Sequence, residues 1–383
     1  MVKRKHMNFT LNVDDGGRQS YIPGSSITGT IFLKLSKDMT PINNISVIFQ
    51  GYASVRFGVP CDGYTRRFTN STTICSVAQI VWDSHDQHVA SGLSAGVYEF
   101  PFVFLIPSNM TLPSSYEIKQ NNHIQYLLLA GISQSRPSTF NHKTASKAIK
   151  ITEIVDINTL DLTSPLSATQ QKVIRSFFHS SGLISLTVEI QRKGYCLGES
   201  ITINATAENQ SRKRIVALRA SLMQKVVTSG TARYKPSLLS SMLTVPGSKH
   251  RITVFNQNDY CATSVVGAFS HWNNVLLPIP SQSLQPTTSS CEFVKVSYTL
   301  NVTLVLRKKK DISVEIPITI GTVPFRGQLQ LAMSHLQSSA NSGTPIIVSQ
   351  TSYCECPRQH RPRPGWTGGV GVACSRGFGG GCR

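Results

Sequence analysis

Acidic residues are in short supply in this chain. Only 19 Asp and Glu stand against 38 Lys and Arg, a formal charge of +19 over 383 residues. Such an imbalance favours acidic partners: nucleic acid, anionic lipid headgroups or phosphorylated peptides. The basic residues are scattered, with short runs only at Lys3-Arg4-Lys5, Arg212-Lys213-Arg214 and Arg307 to Lys310. No aromatic-interleaved basic stripe is there to stack single-stranded bases, and helix-turn-helix or paired Cys/His finger spacing is missing. No specific nucleic-acid partner is expected.

Other absences narrow the class further. No run approaches the roughly 20 apolar residues of a membrane span. The opening MVKRKHMNFTLNV is basic but lacks the apolar core of a signal peptide. Of nine cysteines, five lie in the body (Cys61, Cys75, Cys196, Cys261, Cys291) and four in the last 30 residues. That odd count at irregular spacing is not a disulfide framework. A cytoplasmic chain with reduced thiols is expected, so the sequons at Asn70 and Asn301 are chance matches. No nucleophile elbow, Walker loop or zinc-protease helix motif is expected. The expectation is no enzyme, with no catalytic, cofactor-binding or metal residues and no cofactor.

Two clusters invite a metal reading. Asp83-Ser84-His85-Asp86-Gln87-His88 offers imidazole and carboxylate ligands, but its turn residues fit a polar loop between strands better. Cys354-Glu355-Cys356 with Cys374 and Cys382 lacks the paired two- to four-residue gap of zinc sites and reads as incidental thiols.

What is present is period-2 patterning. Hydrophobic residues make up 40% of the chain, enough for folded cores. In Ile27 to Leu35, Ile31, Leu33 and Leu35 share one face. Asn44 to Phe57, Gly96 to Phe104, His123 to Ile132 and Ala148 to Val155 are further strand candidates, with Pro101 marking an edge strand or bulge. Residues 156–180 read as a linker, and Ser167 to Phe178 as one short helix with Val173, Ile174 and Phe177 on one face. Strands resume at Leu183 to Ile190, Glu199 to Ala207, Ile215 to Val226 and Arg251 to Phe255. The cleanest alternation is Cys291 to Leu306, where Val294, Val296, Tyr298, Leu300, Val302 and Leu304 share a face. Asp311 to Ile320 is its expected antiparallel neighbour. The last 60 residues hold ten Gly, six Arg and one acidic residue, a composition that cannot bury a core.

The expected organisation is all-β: sandwich domains over 7–155 and 181–325, the linker 156–180, and a disordered Gly/Arg-rich tail over 326–383.

Many weak motifs in order resemble the arrestin superfamily, and within it the α-arrestins (arrestin domain-containing proteins). The first half carries Ile22-Pro23-Gly24-Ser25-Ser26-Ile27 with Gly29, then Ile48-Phe49-Gln50-Gly51-Tyr52-Ala53. Leu93 to Gly96, Phe100 to Phe104 and Leu112 to Glu117 follow. The second half carries Lys193-Gly194-Tyr195, Gly198-Glu199, Asn209-Gln210-Ser211, Ser290-Cys291-Glu292, Val296-Ser297-Tyr298, Ile316-Pro317-Ile318 and Gly321 to Pro324. These residues are structural: Gly24, Gly29 and Gly198 permit positive φ or close strand approach, and Phe100, Phe102 and Phe104 fill a core.

The resemblance covers about residues 8 to 325. It implies two tandem immunoglobulin-like sandwiches and an adaptor that binds cytoplasmic tails of membrane receptors or transporters in endocytic trafficking. Binding would use concave sheet faces and strand edges, at the plasma membrane or endosomes, with the anionic inner leaflet as a further partner. It also implies HECT-type ubiquitin ligases as partners, recruited through Pro-Pro-x-Tyr motifs in the tail. This chain has no Pro-Pro before a Tyr; Ser352-Tyr353-Cys354-Glu355-Cys356 sits where one is expected. A scaffold subunit of an endosomal sorting coat, which shares the fold, is the alternative, and the Arg/Gly-rich end suggests a third reading, an RNA-binding tail.

Overall fold

The computed structural model describes residues 7–14, 16–18, 20–39, 41–61, 64–84, 92–118, 122–133, 144–174, 182–211, 213–234, 243–261, 269–282, 284–307 and 311–327. The first half runs β1 (Met7–Val13), β2 (Ser26–Leu35), β3 (Asn44–Cys61), β4 (Tyr64–Asp83), β5 (Gly96–Leu105), β6 (Tyr116–Ile118), β7 (Asn122–Ser133) and β8 (Thr144–Ile149). Antiparallel β1-β2-β5 forms one sheet; β4-β3-β7, with β6 and β8 both paired to β7, forms the other. The alternation of β2 explains its place. Ile27, Ile31 and Leu33 are fully buried, each worth roughly 1.5–3 kcal/mol over leaving it in water. They join Phe49, Phe104 and Tyr126 in the core; Phe49 stacks on Tyr126 at 5.6 Å between ring centroids and meets Phe104 at 5.8 Å, so sheet packs on sheet there. Of the phenylalanines expected to fill that core, Phe102 and Phe104 are buried and Phe100 packs against its margin.

The second half runs α1 (Leu160–Thr163), β9 (Leu166–Ile174), β10 (Gly182–Ile190), β11 (Gly194–Cys196), β12 (Ser200–Asn209), β13 (Ile215–Tyr234), β14 (Leu243–Cys261), β15 (Phe269–Pro278), β16 (Val294–Leu306) and β17 (Ile312–Gly321). One sheet is β15-β12-β10-β9; the other is β11-β17-β16-β13 with β14 on the far side of β13. A bridge between Thr231 and Thr69 joins β13 to β4 and makes one ten-stranded sheet across both halves, eight strands in a continuous path with β14 and β8 beside it. The fold is therefore two antiparallel β-sandwiches, as the strand pattern implied. Val294 to Leu304 is buried on alternate residues as expected, and β17 pairs antiparallel with β16.

Several elements depart from the sequence reading. Ser167 to Phe178 is not a helix over its described residues. Residues 166–174 pair with β10 along nine positions, from Leu166 opposite Ile190 to Ile174 opposite Gly182. The helical spacing of Val173 and Ile174 misled because β9 is an edge strand with only Ile174 buried, so pairing overrode local pattern. The strand expected over Ala148 to Val155 ends at Ile149. β4 and β15 were not anticipated: in the 20 residues of β4 only Phe68 and Cys75 are buried. Gly24 and Gly198 take φ of 84° and 83°, as the turn reading required. At Gly29 a Cβ would lie 2.3 Å from the Asn12 carbonyl oxygen, the expected close strand approach. The tail expected from 326 lies, beyond residue 327, outside the described residues.

Candidate docking surfaces

Of the polar cluster Asp83 to His88, only Asp83 and Ser84 are described; the cysteines of the tail lie outside the described residues. No group of three His, Cys, Asp or Glu able to hold a metal occurs among the described residues. Cys61, Cys75, Cys196 and Cys291 are free thiols, but Cys261 is disulfide-bonded, against the expectation of reduced thiols. No nucleophile elbow is expected from the sequence, yet Gly92-Leu93-Ser94-Ala95-Gly96 spells its Gly-x-Ser-x-Gly pattern. The run leads into strand β5 rather than a helix, so it lacks the strand-turn-helix elbow that activates such a serine.

Hydrogen bonds between residues 153–158 and 322–326 hold the two sandwiches together. Residues 153–158 run alongside the end of β17. Thr322 Oγ1 accepts from Val155 N at 2.8 Å and donates to the Glu153 carbonyl at 3.0 Å. Thr322 N and Val323 N both donate to the Val155 carbonyl, at 2.9 and 3.1 Å. Asn158 Nδ2 donates to the Pro324 carbonyl at 3.0 Å and its Oδ1 accepts from Arg326 N at 2.8 Å. Ile157, 1% exposed, plugs the strand ends: a Cβ on Gly321 would sit 2.3 Å from its Cγ2. The Gly-Thr-Val-Pro run read from sequence is this attachment.

Beside it, buried Arg192 pairs with Glu199 at 3.0 Å and lies over Tyr195 at 4.7 Å and Phe325 at 5.0 Å from the ring centroids. Glu199 also accepts from Cys196 N at 2.9 Å. Burial pushes the Tyr195 hydroxyl up to about 12. The motif Gly198-Glu199 is thus a turn glycine followed by the acceptor that fixes this arginine.

Glu153 is the other buried charge of the junction, 8% exposed. Burial raises its carboxyl pKa, against hydrogen bonding from Ser290 and Thr288 of the second sandwich. Its Oε2 has no hydrogen-bond partner among the described residues. No sequence signal marks this residue, because nothing in the chain order brings residue 153 to residues 288 and 290.

A second contact lies at the hairpin ends. Phe57 and Phe68 stack at 5.4 Å with rings 10° apart, and Ala232 completes a small core with Val59 and Val245 beside it. Gly247 abuts the Phe68 ring, where a Cβ would be 2.3 Å from Cε1. A hollow of about 460 Å³ opens next to it, lined in part by Asn70, Thr231, Pro246 and Glu292.

Among the described residues, the outward faces carry exposed apolar and polar side chains. On β5, Val97, Val103 and Leu105 are 60–66% exposed along a sheet edge. On the β15-β12-β10-β9 sheet, Thr187, Glu189, Asn204, Thr206, Asn273 and Asn274 line a polar hollow of about 440 Å³. Asn274 takes φ 53° where the β12–β15 register slips, and its N donates to Asn204 Oδ1 at 2.7 Å. The outer face of β13, β14 and β16 mixes exposed apolar and basic side chains.

Comparison with known proteins matches both halves. The family model described as Arrestin (or S-antigen), N-terminal domain, matches residues 9–158; that described as Arrestin (or S-antigen), C-terminal domain, matches residues 180–325. Arrestin domain-containing protein 4 of Homo sapiens is 27% identical over 323 residues, covering 83% of this chain and 72% of the relative. The Mus musculus protein of that name matches to the same extent. Thioredoxin-interacting protein of Homo sapiens is 27% identical over 254 residues, covering 66% of this chain and 59% of the relative.

Proposed function

The chain belongs to the arrestin family, and from that premise we propose that it is a non-catalytic cytosolic adaptor that binds the cytoplasmic parts of membrane receptors or transporters during endocytic trafficking. The observation that carries this reading is how the polar groups are used. Asn158, Thr322 and Glu153 are committed to joining the sandwiches, and Arg192 and Glu199 to each other within the second. The remaining distinctive features are broad sheet faces and free strand edges, which suit protein recognition rather than bond-making. The net charge of +19 favours acidic or phosphorylated tails and a peripheral position at plasma membrane or endosomes.

Coupling to HECT-type ubiquitin ligases is the finer part of the proposal. It needs a route other than Pro-Pro-x-Tyr, since no Pro-Pro precedes a Tyr in the chain. The same absence favours one alternative, a scaffold subunit of an endosomal sorting coat. Affinity capture of the full chain from cells, repeated at rising salt, tests these readings. Adaptor function predicts membrane receptors or transporters together with ligases, weakening as salt rises. A single stoichiometric partner that co-elutes on gel filtration in place of cargo points to the coat scaffold. Recovery of neither overturns both.

A further inference from the structure

The β15-β12-β10-β9 sheet turns a face to solvent that breaks with the rest of the chain. Its inward alternates include Ile184, Leu186, Val188, Ile201 and Ile203, all fully buried. The outward positions of these strands hold no Lys or Arg, although the chain has 38, and their charges are Glu189 and Glu208. Glu189 pairs with Asn204 and Thr187 with Thr206. Opposite Asn204 the register slips. Ile203 pairs with Val275 and Ala205 with Trp272, so Asn273 and Asn274 both face the one residue Asn204. The bulge holds Asn274 at φ 53°, a left-handed conformation that Asn tolerates. These six residues line the hollow of about 440 Å³. Asn204 Oδ1 accepts from Asn274 N at 2.7 Å, while Asn204 Nδ2, the Glu189 carboxylate and the Asn273 carboxamide make no hydrogen bond among the described residues. Next to the hollow, the Phe269 and His271 rings lie 6.2 Å apart and 14° from parallel. Phe269 is 61% exposed, and His271 Nδ1 is 3.3 Å from Thr206 Oγ1.

We propose that this hollow binds a pyranose sugar. Five of its six lining residues carry a hydroxyl or a carboxamide, groups that both donate and accept hydrogen bonds. A polyol, whose hydroxyls also do both, matches that lining. A phosphate or carboxylate only accepts, and no Lys or Arg stands on this face to hold one, so the site selects against acidic ligands. An ammonium only donates and would leave the carboxamide nitrogens unused. A metal is not served either, since no group of three His, Cys, Asp or Glu able to hold one occurs among the described residues. Neighbouring sugar hydroxyls can donate to the two oxygens of Glu189 and accept from Asn204 Nδ2. The C–H face of the ring, which is positively polarised, suits the negative face of an aromatic ring, and Phe269 offers one at the margin. The volume falls within the range of about 300–1,000 Å³ usual for small-ligand sites. The irregularity of β15 is spent on bringing two carboxamides to one spot, which marks a built site rather than an ordinary strand surface.

Saturation-transfer NMR on the full chain tests the proposal, with the methyl glycosides of glucose, galactose, mannose and N-acetylglucosamine as probes. Saturation of the ring protons of at least one is expected, with a dissociation constant on the order of 1 mM for so small a ligand in an open site. Glu189→Ala should weaken binding about tenfold, the loss of one charged hydrogen bond. Phe269→Ala should weaken it about fivefold and lower the saturation of one ring face. Val103→Asp with Leu105→Asp on β5 should change nothing. All these positions are exposed, and unchanged melting temperatures establish that the variants fold. A serine peptide carrying the preferred sugar, set beside the bare peptide, identifies the source. Binding tenfold or more tighter than the methyl glycoside assigns the site to sugar-modified proteins; no tighter binding assigns it to free sugar. Absence of saturation with all four glycosides overturns the proposal, as does wild-type affinity in both Glu189→Ala and Phe269→Ala. Equal binding of the bare peptide also overturns it and makes the hollow a peptide reader. No membrane cargo is present in this assay, so its outcome is independent of the adaptor reading.

Discussion

Gly247 and Phe68 should prove energetically inseparable. Gly247→Ala places a methyl 2.3 Å from Phe68 Cε1 and 2.7 Å from both Cδ1 and Cζ. Ordinary carbon contacts lie at about 3.5–4.0 Å, so the ring must retreat by more than 1 Å. It has little room, because its other face stacks on Phe57. Overpacking of this kind costs about 1–3 kcal/mol. Replacing Gly by Ala also stiffens the unfolded chain, which offsets about 0.4–1 kcal/mol, so the expected net loss is about 1–2 kcal/mol. Phe68→Ala alone should cost about 3 kcal/mol, the low end for a buried ring, because the cluster is small. In that background the methyl added at position 247 meets vacated space, and its penalty should fall below about 0.5 kcal/mol. Urea unfolding of the four proteins in the cycle, followed by circular dichroism, measures the coupling. Because Phe68 belongs to one sandwich and Gly247 to the other, the single variants should also separate the unfolding of the two halves into distinct transitions. An equal Gly247→Ala penalty with and without the ring would refute the reasoning.

Glu153→Gln should stabilise the protein at neutral pH by about 1–3 kcal/mol, the cost of a charged acceptor left unsatisfied in the interior. Its folded carboxyl pKa is raised, so the wild type gains stability as pH falls through that value and has the full gain below the ordinary value of about 4.3. The advantage of the glutamine should therefore shrink on acidification; a pH-independent difference in urea midpoints would count against it. Arg192→Met strips Glu199 of its partner and should cost about 3 kcal/mol, and adding Glu199→Gln should restore more than half of that. A double variant as unstable as the sum of the singles would show that the pair is not coupled. Tyr298→Phe leaves buried Gln224 without the hydroxyl at 2.7 Å and should cost about 1–3 kcal/mol in thermal unfolding.

Strands with one wet and one dry face were legible from sequence. β2, β10 and β16 alternate because one side enters the core, and the faces read for β2 from Ile31 and for β16 from Val302, with their neighbours, are the buried ones. Strands whose burial is sparse were not legible. β4 extends over Ser, Thr, Asn and Arg because β3 supplies its hydrogen bonds over nearly its whole length, a tertiary cause that leaves no mark in β4 itself. β13 continues past Val226 to Tyr234 for the same reason, its extension held by β14. Of the candidate surfaces, the ordered motifs pointed only to scaffold positions: Gly198-Glu199 at the arginine turn and Gly321 to Pro324 at the junction. That Lys225 lies between Ile252 and Ser297 needed the register of three strands distant in sequence, and no local pattern encodes that.

The aromatic pair at the hairpin end also sets a clock on biosynthesis. Phe57 and Phe68 are covered in part by residues around Ala232 and Gly247, which follow Phe68 by about 180 residues. At a synthesis rate of about 5–20 residues per second, the pair waits on the order of 10–35 s for its cover. The first sandwich can complete its own sheets in that interval, since every strand of β1 to β8 pairs within residues 7–149. What leaves the ribosome first is therefore a closed sandwich carrying one exposed aromatic handle. A nascent chain stopped before β14 should show more hydrophobic-dye binding than one stopped after it, and Phe68→Ser should abolish the difference.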